Sequence, residues 1–171
     1  ACDTANATGW AWSIDGGPVQ AAPACETTVR LTEGAHEAEL VATTSSGEGR
    51  MRLQMQVRDL IVVGLGDSYS AGSGNARGGL VSLDYDNAEC TRSGRSGQAA
   101  SALELQRRDP RTSVTFIHLA CGGARATSGF PRAHTSQAPQ ILELSQILPA
   151  GQSVDFLTFT IGGNDVRFSE I

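Results

Sequence analysis

Three places in the sequence put glycines after a predominantly apolar stretch, and the first of them contains a serine. Residues 60–65 are apolar and rich in β-branched types except at Gly64, and they lead into Asp67 and Ser68. Such a run predicts a strand that is covered on both faces, as in a parallel sheet flanked by helices. Reactive groups in these sheets collect at the carboxyl ends of the strands, which is where Ser68 falls. The Ser68 hydroxyl is therefore a candidate nucleophile, provided that a base takes its proton.

Two later apolar runs end in the same way. Residues 113–120 lead into a glycine pair that ends at Gly123, and residues 154–161 lead into glycines followed by Asn164. Both runs predict strands, and the second is expected to be buried like the first. Ser68, Gly123 and Asn164 then all follow strands of successive β–α units. A right-handed parallel sheet would gather these three residues at one edge.

Two helices are predicted between these strands. Residues 93–109 carry apolar side chains at helical spacing, with Ser93 or Ser96 as the N-terminal cap. Pro139 opens a second helix with an apolar side, and Pro149 ends it. The second part of the chain is therefore expected to be of the α/β class.

The motifs at the three strand ends resemble those of the SGNH or GDSL hydrolases, a family of serine esterases and lipases. Together the matches extend from about residue 60 to the end of the chain and follow the family's order. The matching motifs are Gly66-Asp67-Ser68, then Leu119-Ala120-Cys121-Gly122-Gly123-Ala124, then Gly162-Gly163-Asn164-Asp165.

The resemblance implies both a fold and a division of roles. Ser68 would be the nucleophile that forms an acyl-serine intermediate, while the Gly123 amide and the Asn164 side chain would donate hydrogen bonds to the oxyanion. The expected fold is the flavodoxin-like, three-layer SGNH hydrolase fold, with strand order 2-1-3-4-5 in an incomplete parallel sheet. Asp67 and Asp165 are expected to make structural hydrogen bonds.

The family's last motif, Asp-x-x-His, has no match in the sequence, and its histidine is the family's base. The chain alone is therefore expected to be inactive, and a complementary C-terminal segment or second chain that carries the Asp and His is the expected partner. That partner would cover residues 154–161, which would otherwise be an exposed edge. Of the three histidines, His36 lies in the N-terminal part and His118 within a strand, so His134, in a loop, is the only stand-in.

Residues 1–58 differ from the rest of the chain. Short runs of alternating apolar and polar residues are separated by turn residues, which is typical of short strands. We expect an immunoglobulin-like β-sandwich over 1–58, followed by the N-terminal part of an SGNH hydrolase domain over 59–171. The four alternating runs are 10–14, 28–32, 37–43 and 50–57.

Four cysteines allow three pairings, of which the sequential one, Cys2–Cys25 and Cys90–Cys121, is the simplest. Cys90-Thr91-Arg92-Ser93 resembles a Cys-x-Arg-Ser segment of secreted actinobacterial family members, in which this cysteine is bridged to the one before the oxyanion glycine. The resemblance thus implies Cys90–Cys121, and two buried free thiols are the alternative. Disulfides imply an oxidising, extracytoplasmic location.

Composition excludes some classes of function. The 171 residues carry a net charge of −5 and no lysine, which argues against a nucleic-acid-binding surface. No apolar stretch approaches the roughly 18 residues that a transmembrane helix needs.

The leading interpretation is a secreted ester hydrolase that needs no cofactor, with a lipid, an O-acetyl sugar or a small ester as substrate. The alternative is a catalytically inactive, esterase-like protein used in binding or adhesion, if no histidine lies near Ser68. A third possibility is a nucleotide-binding β–α–β domain, because Gly64-x-Gly66 follows a strand. Tyr69 at the third glycine position and the expected disulfides argue against it.

Overall fold

The structure is a computed structural model that describes residues 7–78, 84–133, 136–148 and 150–168. The chain divides into two compact units, Ala1–Arg58 and Asp59–Ile171. In chain order, the elements are β1 (Ala7–Ile14), β2 (Gln20–Ala22), β3 (Gly34–Thr44), β4 (Gly47–Gly66), α1 (Ser68–Ala71), α2 (Gly97–Arg108), β5 (Thr112–His118), α3 (Gln140–Ile147) and β6 (Phe156–Thr160).

The first unit contains an antiparallel sheet in the order β2-β1-β3-β4. Leu40, at the centre of β3, lies opposite Trp12 of β1 and Met51 of β4, so an apolar row crosses three strands. The immunoglobulin-like sandwich stays a prediction. The expected strand over 28–32 is wrong: these residues have no regular structure, and Val29 is 44% exposed. Alternating side chains do not make a strand without a neighbour to bond the backbone groups.

The second unit is built on a sheet in which the end of β4 lies between β5 and β6. β6 is parallel to β4, from Val62 opposite Phe156 to Gly66 opposite Thr160. On the other side, just beyond β5, Leu119 N donates to the Gly64 carbonyl (2.8 Å). The order β5-β4-β6 corresponds to the first three positions of the expected 2-1-3-4-5 order. The complete flavodoxin-like fold stays a prediction.

The end of β4 forms the core of this unit, as predicted. Val63 and Leu65 are fully buried, and they pack with Ile61 of β4 and with Ile117 and Leu119. Burying one such side chain contributes about 1.5–3 kcal/mol to stability. Because these residues precede Ser68 directly, the strand that leads to the candidate nucleophile is the best anchored in the unit.

The expectation that the third strand is buried is wrong for the residues that the structure describes. Phe156, Leu157 and Phe159 of β6 are 50–54% exposed. Among the strands that the structure describes, β6 pairs with β4 alone, so one edge and parts of both faces are uncovered.

A polar side chain caps the start of α2, whereas α3 begins after Pro139 with no side-chain cap. Of the two predicted caps for α2, Ser96 has the role, because its hydroxyl accepts from Ala99 N at 3.1 Å. Ser93 instead donates its hydroxyl proton to the Asn75 carbonyl. No helix in the described part of the chain is long and apolar enough to cross a membrane.

The predicted disulfide Cys90–Cys121 is present, and both cysteines are buried. Gly122 N donates to the Cys90 carbonyl at 2.9 Å, so the two segments are joined by a backbone hydrogen bond as well. Cys25 is disulfide-bonded, and Cys2, its predicted partner, lies outside the described residues.

The side chain of Gln140, at the start of α3, makes two hydrogen bonds to the backbone of Gly66. Its Nε2 donates to the Gly66 carbonyl at 2.8 Å, and its Oε1 accepts from Gly66 N at 2.7 Å. The side chain is 2% exposed, so water cannot replace these bonds. Since the Gly66 carbonyl also accepts from Cys121 N, the Gly66 amide depends most on Gln140.

We therefore predict that Gln140→Leu lowers the free energy of unfolding by about 1–3 kcal/mol, because it leaves the buried Gly66 N–H without a partner. Gln146→Leu, at an exposed position of the same helix, is the matched control and should change stability by less than about 0.5 kcal/mol. Urea unfolding followed by far-ultraviolet circular dichroism measures both. Equal effects of the two substitutions would contradict the assigned role of Gln140.

Candidate active site

Ser68 is the first residue of α1, a single helical turn that follows β4 directly. Asp67 is its N-terminal cap: the Oδ1 atom accepts from Tyr69 N at 3.1 Å. Asp67 N in turn donates to the Thr160 carbonyl of β6 at 2.9 Å. The prediction that Asp67 makes a local structural hydrogen bond is confirmed.

Glycine is required at both ends of this turn. Gly66 has φ of +122°, and a Cβ atom there would collide with the Thr160 carbonyl oxygen. Gly72 is left-handed with φ of 84°, and its N–H donates to the Ser68 carbonyl at 3.1 Å. The abrupt change from strand to helix at Ser68 is therefore set by two positions that favour glycine.

The Ser68 side chain is half-buried. Its hydroxyl makes no hydrogen bond with any other residue that the structure describes. The hydroxyl is therefore neither a helix cap nor a member of the buried polar network around it, so its proton is free to go to a base.

Gly123 follows the disulfide-bonded Cys121 and has a left-handed backbone, with φ of 82°. Cys121 N donates to the Gly66 carbonyl at 3.0 Å, which holds this segment against the end of β4. The segment that contains Gly123 is thus fixed by β4 on one side and by the disulfide to Cys90 on the other.

Asn164 follows β6 and contacts the Gly123 segment. Its Nδ2 donates to the Ala124 carbonyl at 2.9 Å. An amide NH₂ group has two hydrogens, so one remains for another acceptor. The neighbouring Asp165 accepts from Ala126 N at 2.9 Å through Oδ2, and the prediction of a structural role for Asp165 is confirmed.

Hydrogen bonds join the first and the third predicted motif to the second, and join the first to the strand that leads into the third. The first motif contacts the second through Gly66 and Cys121, and the third motif contacts the second through Asn164. The first motif and β6, which leads into the third, are joined through Asp67 and Thr160. The structure therefore brings the three strand ends together. That the Ser68 hydroxyl, the Gly123 amide and the Asn164 carboxamide face one oxygen position stays a prediction.

The two histidines that the structure describes have other partners. His36, in the first unit, contacts Asp15 Oδ2 through Nδ1 at 2.7 Å. His118 contacts the Ser70 carbonyl through Nε2 at 3.1 Å, and because a carbonyl only accepts, Nε2 carries the proton. His134, the predicted stand-in for the base, lies outside the described residues.

Two residues that matter here were missed by the sequence analysis. Gln140 holds Gly66, and Thr160 bonds Asp67 through its carbonyl and, at 2.9 Å, through its hydroxyl. No local signal marked Thr160, because the same strand also contains Thr158. Nothing local distinguishes Gln140 from the other glutamines.

We predict that the two described histidines titrate on opposite sides of the ordinary value of 6.5. The hydrogen bond to the Asp15 carboxylate raises the pKa of His36, whereas burial, and then the positive charge of Arg92, lowers the pKa of His118. Because of His118, the free energy of unfolding therefore decreases as the pH falls below 6.5. The stability that the His36–Asp15 contact contributes is lost as the pH rises through the raised pKa of His36.

An NMR pH titration of the ring protons, assigned with His36→Gln and His118→Gln, measures both midpoints. Asp15→Asn is the control and should lower the His36 midpoint without moving that of His118. A His118 midpoint at or above 6.5 would contradict its burial.

Comparison with known proteins gives two relatives. The chain is 32% identical to the protein named "Lipase" from Streptomyces rimosus over 108 residues, which are 63% of this chain and 31% of that protein. It is 36% identical to "Lipase 2" from Streptomyces coelicolor over 104 residues, which are 60% of this chain and 29% of that protein. The chain spans less than a third of the length of each relative.

No protein-family model matches the chain. No solved structure matches it. The chain is therefore similar, at modest identity and over about three fifths of its length, to two proteins named as lipases.

Proposed function

We propose that this chain supplies the nucleophile and the oxyanion-binding groups of a secreted ester hydrolase of the SGNH type. The observation that carries the proposal is the joining of three strand ends by hydrogen bonds, with Ser68 on the first, Gly123 on the second and Asn164 on the third. The similarity to two proteins named as lipases supports ester hydrolysis independently.

In the proposed reaction, Ser68 Oγ attacks the carbonyl carbon of the ester while a base takes its proton. The negative charge that forms on the carbonyl oxygen is stabilised by the N–H groups of Ser68 and Gly123 and by the second Nδ2 hydrogen of Asn164. The alcohol leaves with the proton from the base, and water then hydrolyses the acyl-serine by the same steps. Lipid, O-acetyl sugar and small ester all remain substrate classes of the proposal.

The base is proposed to come from an Asp-x-x-His segment that this sequence does not contain. The proton on His118 Nε2 is already donated to the Ser70 carbonyl. β6 offers a place for the complementary segment, because its second edge has no neighbour in the described structure and Phe156, Leu157 and Phe159 are half exposed. A strand added there would extend the sheet towards the flavodoxin-like order and bury these side chains.

The alternative is an inactive, esterase-like protein for binding or adhesion. The contacts of His118 favour it, because no described histidine is placed to take the Ser68 proton. Nucleotide binding is disfavoured, since packing within the protein explains why positions 64 and 66 of Gly64-x-Gly66 are glycine. A Cβ at Gly64 would collide with the Gln98 side chain, and one at Gly66 with the Thr160 carbonyl.

We predict that a fluorophosphonate probe labels the full gene product at Ser68. Ser68→Ala should abolish labelling and lower the hydrolysis of p-nitrophenyl esters by at least about 1000-fold. Ser101→Ala, at an exposed position of α2, is the control and should leave both unchanged. Retained hydrolysis by Ser68→Ala, or labelling at another serine, would overturn the assignment. A wild-type protein that is neither labelled nor active would favour the binding alternative.

We also predict that Asn164→Ala lowers kcat by about 100–1000-fold with little change in KM, since it removes a donor that acts mainly in the transition state. Asn75→Ala is the control: Asn75 also donates its amide to a backbone carbonyl, that of Arg95, but lies at an exposed position. A similar loss in both variants would show that Asn164 acts only through its bond to Ala124.

A further inference from the structure

A second set of polar side chains lies around α1 and includes none of the three groups assigned to the reaction. Ser70, which is 3% exposed, is at its centre. Its Oγ lies 2.9 Å from Thr160 N, 3.0 Å from Gln98 Nε2 and 2.8 Å from Thr160 Oγ1. Thr160 Oγ1 in turn lies 2.9 Å from Asp67 Oδ1.

The Asp67 carboxylate fixes the direction of the hydroxyl protons in the set. A carboxylate only accepts, so the Thr160 hydroxyl donates its hydrogen to Asp67 Oδ1. Thr160 Oγ1 therefore accepts the hydrogen of the Ser70 hydroxyl, while the Ser70 oxygen accepts from Thr160 N and lies within hydrogen-bond distance of Gln98 Nε2. The result is a one-way hydrogen-bond chain that runs from Gln98 through Ser70 and Thr160 to Asp67.

Gly64 leaves the space that the Gln98 side chain occupies in this hydrogen-bond chain. A Cβ atom there would collide with Gln98 Oε1 and lie 3.0 Å from the Phe116 ring. Gln98 Nε2 therefore lies within hydrogen-bond distance of three acceptors, the Leu65 carbonyl (3.2 Å), the Thr158 carbonyl (3.0 Å) and Ser70 Oγ, and its two hydrogens are shared among them. It joins α2 to β4, α1 and β6.

The position of this carboxamide has a cost. Gln98 Oε1 is buried and has no hydrogen-bond partner in the described part of the chain. An unpaired buried acceptor destabilises the folded state.

The hydrogen-bond chain ends at Asp67, the residue before the candidate nucleophile Ser68. Asp67 Oδ1, which accepts from Thr160, also accepts from Tyr69 N and so fixes the first turn of α1. Thr160 belongs to the strand that leads into Asn164. The chain therefore sets the position of the Ser68 turn relative to the strand that carries the amide donor. Misplacing reacting groups by about 1 Å can cost on the order of 100-fold in rate.

We propose that Gln98, Ser70 and Thr160 are positioning residues that hold Ser68 in register with the oxyanion donors. The inference rests on the proposed function, because it concerns the same reaction. It adds three residues that touch no substrate, and it explains why the apolar run of β4 is interrupted at Gly64.

Thr160→Val tests the proposal, because valine has nearly the same shape but no hydroxyl. In the full gene product, kcat for p-nitrophenyl ester hydrolysis should fall about 10–100-fold with KM changed less than about threefold. Thr160→Ser, which keeps the hydroxyl, should restore kcat to within about threefold of the wild type. Thr115→Val is the matched control: it removes another strand hydroxyl that donates to an aspartate, Asp59, and should leave kcat unchanged.

A double-substitution cycle with Ser70→Ala gives a second test that does not depend on one variant. If the two side chains act as one chain, the double variant should lose no more activity than the more damaged single variant. Losses that multiply, or a Thr160→Val variant as active as Thr115→Val, would overturn the proposal. So would a failure of Thr160→Ser to recover activity.

Hydrogen exchange separates failure of this proposal from failure of the proposed function. The Tyr69 amide should exchange at least about tenfold faster in Thr160→Val than in Thr115→Val, because the cap on Asp67 loses its support. If the wild type is not labelled at Ser68, the proposed function fails and the exchange rate alone decides whether the chain fixes α1. An unchanged Tyr69 exchange rate would show that the hydrogen-bond chain does not fix α1, and would overturn the proposal whether or not the protein hydrolyses esters.

Discussion

The backbone of Gly66 is the point on which the described site depends. Its N–H and carbonyl are both bound by Gln140, its carbonyl also accepts from Cys121, and its φ of +122° turns the chain from β4 into the helix of Ser68. A side chain here would collide with Thr160. Because Gly66 has no Cβ atom, the end of β4 can lie against Thr160 of β6, Cys121 and Gln140. The positions of Ser68, Gly123 and Asn164 all depend on these contacts.

Polar contacts, rather than apolar packing, fix the geometry of the site. The core below Gly66 is held by Val63 and Leu65, but the groups above it that are nearly as buried are Asp67, Ser70 and Gln140. Buried polar groups are costly unless paired, and hydrogen bonds are directional, so a network of this kind tolerates few arrangements. This gives the candidate nucleophile a defined position although its own hydroxyl is unengaged by any described residue.

The exposed β6 strand links the proposed chemistry to the proposed partner. Its inner edge is bonded to β4, and its outer edge has no described neighbour, while its aromatic side chains are half exposed. An apolar strand edge of this kind is prone to pairing with another strand. The addition that would cover Phe156 and Phe159 would also deliver the proposed base, so one segment would complete both the proposed fold and the proposed reaction.

The sequence by itself determined the local features: the buried run before Ser68, the α2 and α3 helices, the caps and turns, and the three motifs at the strand ends. These depend on residue types within a few positions of one another. Only the tertiary structure showed that Gln140 binds Gly66, 74 residues away, that Ser70 bonds Thr160, 90 residues away, that 28–32 forms no strand, and that β6 is exposed. A polar side chain carries no sign of a distant partner, because its hydrogen bonds depend on which remote segments the folded chain brings next to it.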